Sequence, residues 1–492
     1  MPLRTQSNGR SYANSTIFYN SRFDYVRLTA HSAQRGGKHG GTIVKFNYGK
    51  IFLLGFGFFG VSVIWGVYNA FVPIFLANKF GLSAVFIGFF MTLDNIAAIF
   101  IQPPVGAWSD RLRTPIGRRL PFILVGAPIT ALAFGLIPLA SVLPLFVACT
   151  STLLLSAALW RTPVVALMPD ITPSEKRSQA NGIINFMGGI GTIIALQTGG
   201  TLYEQSPAFP FWLGSALVVV AALIVFLFVR EPEEYRRGVP RSAGVHLGNR
   251  EPQPSMVESL REVLNDEDKS GARILFAIFF WFVGYSAVET FFTLYAQEHL
   301  GIDAGDGATL LSVFPLFFVL FAIPSGLIAA RIGRRVAISF GLIVVSVILA
   351  LFYILPPGTL LAPVSPLPLV GIPLVEDGPR MLTLAGVMLM FGGVGWAFVN
   401  INSLPMVVEL TSAARIGTYT GLYYLFSTFS AIVGPNINGL AIQIVNNNYN
   451  VIMLIAPFFM ITALVLMLGV RRGEATLHPS QQPSQAQANH RP

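Results

Sequence analysis

The segment QPPVGAWSDRLRTPIGRR, residues 102–119, is written a second time as AIPSGLIAARIGRR, residues 322–335. Pro104, Gly106 and Arg111 fall on Pro324, Gly326 and Arg331 at one offset of about 220 residues, and a second loop shorter by four brings Gly117, Arg118 and Arg119 onto Gly333, Arg334 and Arg335. The same offset carries FGLS, from Phe80, onto LGID, from Leu300, and sets Trp65, Tyr68 and Asn69 against Tyr285, Val288 and Glu289. A two-fold repeat of this length in a largely apolar chain predicts a membrane carrier of two similar halves with its substrate held between them.

Composition narrows the class further. Of 492 residues, 53% are hydrophobic and 11% charged, and the mean hydropathy is positive, whereas soluble domains are about a quarter charged. A single cysteine, Cys149, excludes a disulfide framework or a cysteine metal site. His31, His39, His246, His299, His478 and His490 lie in tails or outside the apolar cores, so neither a metal site nor a cofactor is expected.

Apolar runs long enough to cross about 30 Å of hydrocarbon as helices lie near 51–77, 85–108, 119–140, 143–168, 182–203 and 210–229, and again near 273–297, 307–330, 335–355, 381–407, 414–440 and 450–470. Backbone amides in lipid must be satisfied within the segment, so these runs predict an all-α protein of twelve transmembrane helices in two six-helix bundles, 51–229 and 273–470. If residue 50 is cytoplasmic, 29 of the 32 lysines and arginines fall on the inner side, leaving Lys79 and Arg380 outside and Arg161 within a helix. That asymmetry predicts both termini inside, and the plasma membrane is the expected location. The net charge of +9 is then a topology signal, and no nucleic-acid partner is expected because no basic stretch interleaves with exposed aromatics. Residues 1–50 lack a signal-peptide core and read as a disordered basic tail, as does the polar tail 471–492. Residues 230–272 read as a charged cytoplasmic linker ending in a short amphipathic helix from Met256 to Leu264.

Two six-helix halves with a basic loop after the second helix of each resemble the major facilitator superfamily. GAWSDRLRTPIGRRLPFI, Gly106 to Ile123, is similar to that superfamily's loop signature in the form used by glycoside–cation symporters, most closely the plant sucrose transporters and their animal and bacterial proton-coupled relatives. LWRTPVVALMPDITPSEKRSQANG, Leu159 to Gly182, resembles the fourth-helix segment of the same carriers. The resemblance spans about 50–470 and implies that helices 1, 4, 7 and 10 line a central cavity. Gln102 and Pro103 stand near the place where the sodium-coupled sugar carriers keep helix-2 carboxylates, which counts against sodium coupling.

In the basic loops, Asp110, Arg111, Gly117, Arg118 and Arg119 are expected to latch the inner side shut in the outward-facing state, with Arg331, Arg334 and Arg335 as the weaker second copy, because a carboxylate there pairs with guanidinium groups and helix ends. Asp170 with Arg177 and Glu409 with Arg415 predict a parallel pair two helices later. Plain positive-inside topology explains the basic residues without the acids.

A charge in hydrocarbon costs several kcal/mol unless paired or wet. Asp94 in helix 2, Arg161 in helix 4 and Glu289 in helix 7 are such charges, the two acids about nine residues from the outer face and so near the midplane. Asp94 or Glu289 supplies a carboxyl able to carry a coupled proton, with Arg161 as its cation or as a donor to sugar hydroxyls. A structural intramembrane salt bridge is the bland alternative. Trp65, Tyr68, Trp160, Tyr285 and Trp396 offer rings to stack on a sugar, and Asn69, Asn400 and Asn402 offer hydrogen bonds. The expectation is a monomeric, proton-coupled sugar symporter of the sucrose or maltose type, not an enzyme. A drug or metabolite antiporter, a membrane enzyme and a non-transporting sensor are the other readings.

Overall fold

The computed structural model describes residues 47–173, 176–232, 235, 256–367, 371–374, 378–411 and 415–472. The tails 1–46 and 473–492 and most of the linker, on which disorder was expected, lie outside them. Each apolar run closes its own backbone hydrogen bonds as a helix, and twelve helices among the described residues are long and apolar enough to span a membrane.

In the first half these are α1 (Tyr48–Ile74), α2 with α3 (Ala84–Phe90, Leu93–Arg111), α4 (Leu120–Leu136), α5 (Leu143–Ile171), α6 (Arg177–Gln205) and α7 (Phe209–Phe228). A short α8 (Met256–Asn265) lies where the amphipathic linker helix was expected. The second half holds α9 (Ser270–Tyr295), α10 (Ala304–Ile332), α11 (Arg334–Ile354), the short α12 (Pro357–Leu360), α13 (Leu384–Val408), α14 (Ile416–Ile444) and α15 (Ile452–Leu468). Between α12 and α13 the chain forms a small sheet that the sequence reading passed over, β1 (Pro363–Pro366), β2 (Ile372–Pro373) and β3 (Arg380–Thr383), ordered β1-β3-β2.

The repeat is written into the backbone. α1 and α9 both end in a π-helical turn, Phe75–Lys79 and Ala296–Leu300. The chain then reverses at Gly81 (φ +64°) and at Gly301 (φ +71°). The basic loops turn at Gly117 (φ +124°) and Gly333 (φ +93°). These are left-handed or related conformations that side chains other than glycine adopt only under strain, and they account for why glycine recurs at these repeat positions.

The second span is not one straight helix. It breaks at Met91 and Thr92, where the Thr92 hydroxyl donates to the Phe89 carbonyl at 2.7 Å and accepts from the Asn436 amide at 3.3 Å. The break places Asp94 in the first turn of α3, where free amides and the positive helix end favour a carboxylate.

Within the halves, α1 packs on α6 and α7, and α9 packs on α14 and α15. Between them, α1 meets α9, α6 meets α10, and α2 meets α14. These seams run from the middle of the helices to the face opposite the termini. There Gly88 lies against the Pro435 carbonyl, Gly439 against Ala84, and Gly200 against Gly305 and Thr309. Gln197 accepts from Ser312 at 2.8 Å, and Thr293 donates to the Ala70 carbonyl at 2.7 Å. The face opposite the termini is therefore closed.

Candidate functional site

The centre of the molecule is built by α1, α3, α5, α9 and α14. Asn69 Nδ2 donates to Glu289 Oε1 at 3.2 Å across the seam between the halves. Asp94 accepts from the Asn95 side chain at 2.9 Å and lies within electrostatic reach of both Arg161 and Glu289. Arg161 has no carboxylate within 4.0 Å among the described residues, although Asp94 and Tyr424 both act on its charge. The salt-bridge alternative for Asp94 and Arg161 is thus not a contact pair in this arrangement. Tyr424, on the opposite half, is 56% exposed while facing the buried region around Arg161. A guanidinium without a contact carboxylate, two carboxyls and an amide gathered at the seam between the halves are groups that can bind a polyhydroxylated or charged solute and, once wetted, exchange a proton with water.

The aromatic expectations divide. Trp65 and Tyr285 are half-buried at this centre. Tyr285 stacks on Trp396, with centroids 4.4 Å apart and planes 5° from parallel. One face of each ring is therefore already covered, and Trp396, 4% exposed, backs Tyr285 and offers little surface of its own. Tyr68 is 1% exposed with its ring edge against Trp65 at 5.5 Å. Trp160 is fully buried inside the first half, its ring and Cβ against Gly60 of α1 and Gly126 of α4. Trp160 is a core residue, because the glycines opposite it leave a slot that its ring fills. Asn400 stays half-buried, whereas Asn402 turns back to the Phe398 carbonyl at 2.9 Å. Tyr424 was missed because a tyrosine in a helix outside the expected cavity set carries no signal of its own.

The basic loops form a second polar cluster on the terminal face. Asp170 accepts from Arg118 at 2.6 Å and from Arg119 Nε at 3.0 Å. Arg119 also reaches Asp110 at 2.5 Å and the Ser109 hydroxyl. The repeat reproduces the pair as Arg334 with Glu409. These partners correct the expected pairs: Asp170 joins Arg118 and Arg119 instead of Arg177, and Arg415 joins Glu262 of α8 at 2.5 and 2.9 Å instead of Glu409. The reason is geometric. Arg177 and Arg415 sit at the starts of α6 and α14, one loop beyond the acids, while the α3–α4 and α10–α11 loops fold over the ends of α5 and α13. These ion pairs of Asp110, Asp170 and Glu409 each lie within one half. Arg111 and Arg331 are exposed in the last turns of α3 and α10, where a cation suits the helix end. Arg335 donates to the Leu468 carbonyl at 2.7 Å.

A further member had no sequence signal. Glu231, 3% exposed, takes the backbone amides of Arg118, Arg119 and Leu120 at 2.9, 2.7 and 2.9 Å. It caps the start of α4 from the far end of the half, and it lies where a Cβ on Gly117 would stand, at 2.5 Å.

Comparison with known proteins agrees with this architecture. Residues 54–435 match the family model of the Major Facilitator Superfamily. The chain belongs to that superfamily. Multidrug resistance protein 1 of Bacillus subtilis (strain 168) is 23% identical over 48% of this chain, and the match spans 56% of the relative. Sucrose transport protein SUC3 of Arabidopsis thaliana is 25% identical over 31% of this chain and 29% of its own length. A crystal structure of a mutant of the nucleoside transporter NupG superposes with a TM-score of 0.63 at 15% identity, covering 86% of this chain and all of that one. Its twelve membrane-length helices fit the multi-pass architecture of that superfamily.

Proposed function

We propose that the chain is a proton-coupled symporter that carries a sugar, a disaccharide of the sucrose or maltose type, by alternating access in the plasma membrane. Its terminal face is cytoplasmic in this reading, so the arrangement described is closed on the outside. The observation that carries the proton part is Glu289: a midplane carboxyl held by the opposite half through Asn69. When the halves rock, that bond parts and the carboxyl changes between protein and water contact, which is what a proton carrier requires. Asp94, in the first turn of α3, is the second carboxyl, and Arg161 is the cation that receives sugar hydroxyls or a carboxylate. Trp65, Asn69, Tyr285 and Asn400 complete the sugar surface, with Trp396 behind Tyr285. The loop and fourth-helix resemblances and the SUC3 match support a sugar as cargo. On the inner side, the Arg118–Arg119–Asp170–Asp110 and Arg334–Glu409 clusters hold the ends of each half as units that rock.

The multidrug relative favours a second reading, an exporter of lipophilic cations, to which a centre with two acids and one arginine is suited. The two readings part in reconstituted vesicles given labelled sucrose, maltose and monosaccharides with and without an imposed pH gradient. Sugar accumulation that needs the gradient and is not competed by lipophilic cations is the expected result. Cation movement with no sugar uptake gives the exporter instead.

A further inference from the structure

The closed face opposite the termini is joined mostly by neutral groups, Gln197 with Ser312, Asn78 with Gln297, and Thr92 with Asn436. One contact differs. Asp306, in the first turn of α10, is 7% exposed, and its Oδ1 has no hydrogen-bond partner. Glu204, at the end of α6 in the other half, has its Cγ 3.2 Å from where a Cβ on Gly305, the neighbour of Asp306, would stand, which brings the two carboxyls into one another's reach. Arg380 of β3 stands 3.7 Å from Glu204 Oε1. Asp303, just before α10, is the other charge acting on Asp306. On the π turn that packs beside α10, Glu298 faces Tyr449 and His299 stacks on Tyr295.

Two carboxylates in direct contact repel unless they share a proton. Here they are brought together by the close backbone approach of Gly200 to Gly305, so the halves cannot meet on this face without pressing the acids together. We propose that Glu204 and Asp306 form a proton-binding site at the gate, which takes up one proton from the solution on the face opposite the termini as the gate closes. The balance is simple. Two carboxylates and one proton give one shared O–H···O bond, and the single remaining negative charge faces Arg380 and the free amides that begin α10. When the gate opens the acids separate, each is hydrated, and the proton returns to that solution. The site is distinct from Glu289 and Asp94 and does not depend on which solute is carried.

The test reads gate opening directly. Thr309 is fully buried against Gly200 across the gate, so Thr309→Cys, with Cys149→Ala, reacts with an impermeant maleimide only when the gate opens. Its rate is normalised to a cysteine replacing exposed Gly358 on the same face, which corrects for thiol ionisation. As pH falls from about 8 to about 5, a range that carboxyls reach when burial or a neighbouring like charge raises them strongly, normalised labelling of the parent slows several-fold. In Glu204→Gln and in Asp306→Asn, each verified as monodisperse by size exclusion, that slope is lost, whereas in Glu289→Gln it remains. Retention of the slope in either gate variant, or its absence from the parent, overturns the proposal. Neither outcome bears on sugar transport, which is read separately by uptake.

Discussion

Asn69 and Glu289 occupy the same place in the two halves, 220 residues apart, and they hydrogen-bond to each other at 3.2 Å. Two residues related by a two-fold rotation touch only where they lie on its axis. The bond therefore marks the pseudo-two-fold axis of the molecule, and nearer the closed face Asn78 bonds Gln297 at 3.0 Å, one residue out of that register. The backbone is symmetric about that line while its chemistry is not: one half presents an amide and the other a carboxyl.

Removing the amide isolates the effect of this bond. Asn69→Ala leaves Glu289 without its donor from the other half, a loss of about 1–3 kcal/mol for a hydrogen bond to a charged or buried group. The arrangement closed opposite the termini is weakened, so maleimide labelling of Thr309→Cys is expected to quicken by roughly fivefold or more. An unchanged rate means that the bond does not hold the halves together.

The loop clusters are unequal in burial, and stability should follow. The side chain of Asp170 is 11% exposed and serves two arginines, while that of Asp110 is 55% exposed. Asp170→Asn removes the buried charge that both guanidinium groups share, leaving them only the exposed Asp110, and is expected to cost about 3 kcal/mol, against about 1 kcal/mol or less for Asp110→Asn. Thermal unfolding in detergent should rank them in that order; equal midpoints contradict the network.

Gly117 meets two constraints at once, a φ of +124° and the Glu231 carboxylate at 2.5 Å from any added Cβ. Gly117→Ala is expected to lower stability by about 1–3 kcal/mol, and Glu231→Ala to lower it comparably by leaving three amides at the start of α4 uncapped. Because both act on one contact, the double variant should be less destabilised than the two losses added together. Strict additivity in thermal unfolding speaks against the cap.

The linker helix should release in acid. The hydrogen bonds from Arg415 hold the Glu262 carboxyl below the ordinary glutamate value. A depressed carboxyl contributes stability that is present above the ordinary value and is lost as pH falls through the lower, folded one. Hydrogen exchange in α8 should therefore rise as pH drops below about 4, after correction for the intrinsic rate, and Glu262→Gln should show that faster exchange already at neutral pH. Protection that is independent of pH in the parent contradicts the docking role of the ion pair.

The fold was legible because membrane helices announce themselves by apolar length and because the repeat fixed two halves in register. Gly81 with Gly301 and Gly117 with Gly333 were visible as aligned letters before they were visible as aligned backbone angles. Asn69, Glu289, Asp94 and Arg161 were legible as polar exceptions in hydrocarbon. Trp160 misled because a ring that fills a slot between glycines reads the same in sequence as a ring that lines a cavity. Pairing partners were also hidden: Asp170 is nearer in sequence to Arg177 than to Arg118, and only the folding of the α3–α4 loop across α5 decides between them. The break before Asp94 rests on Thr92 and Asn436, which are 344 residues apart, and no local pattern encodes it.

The central claim is that a midplane carboxyl on the inter-half axis carries the coupled proton, and Glu289→Gln tests it most directly. The measurement is acidification of vesicles loaded with a pH-sensitive dye, started by adding sucrose or maltose, beside equilibrium counterflow of the same labelled sugar. The parent should acidify on sugar addition and also exchange; Glu289→Gln should exchange at a comparable rate with no sugar-dependent acidification. Sugar-driven proton entry that persists in Glu289→Gln contradicts the account and passes the role to Asp94.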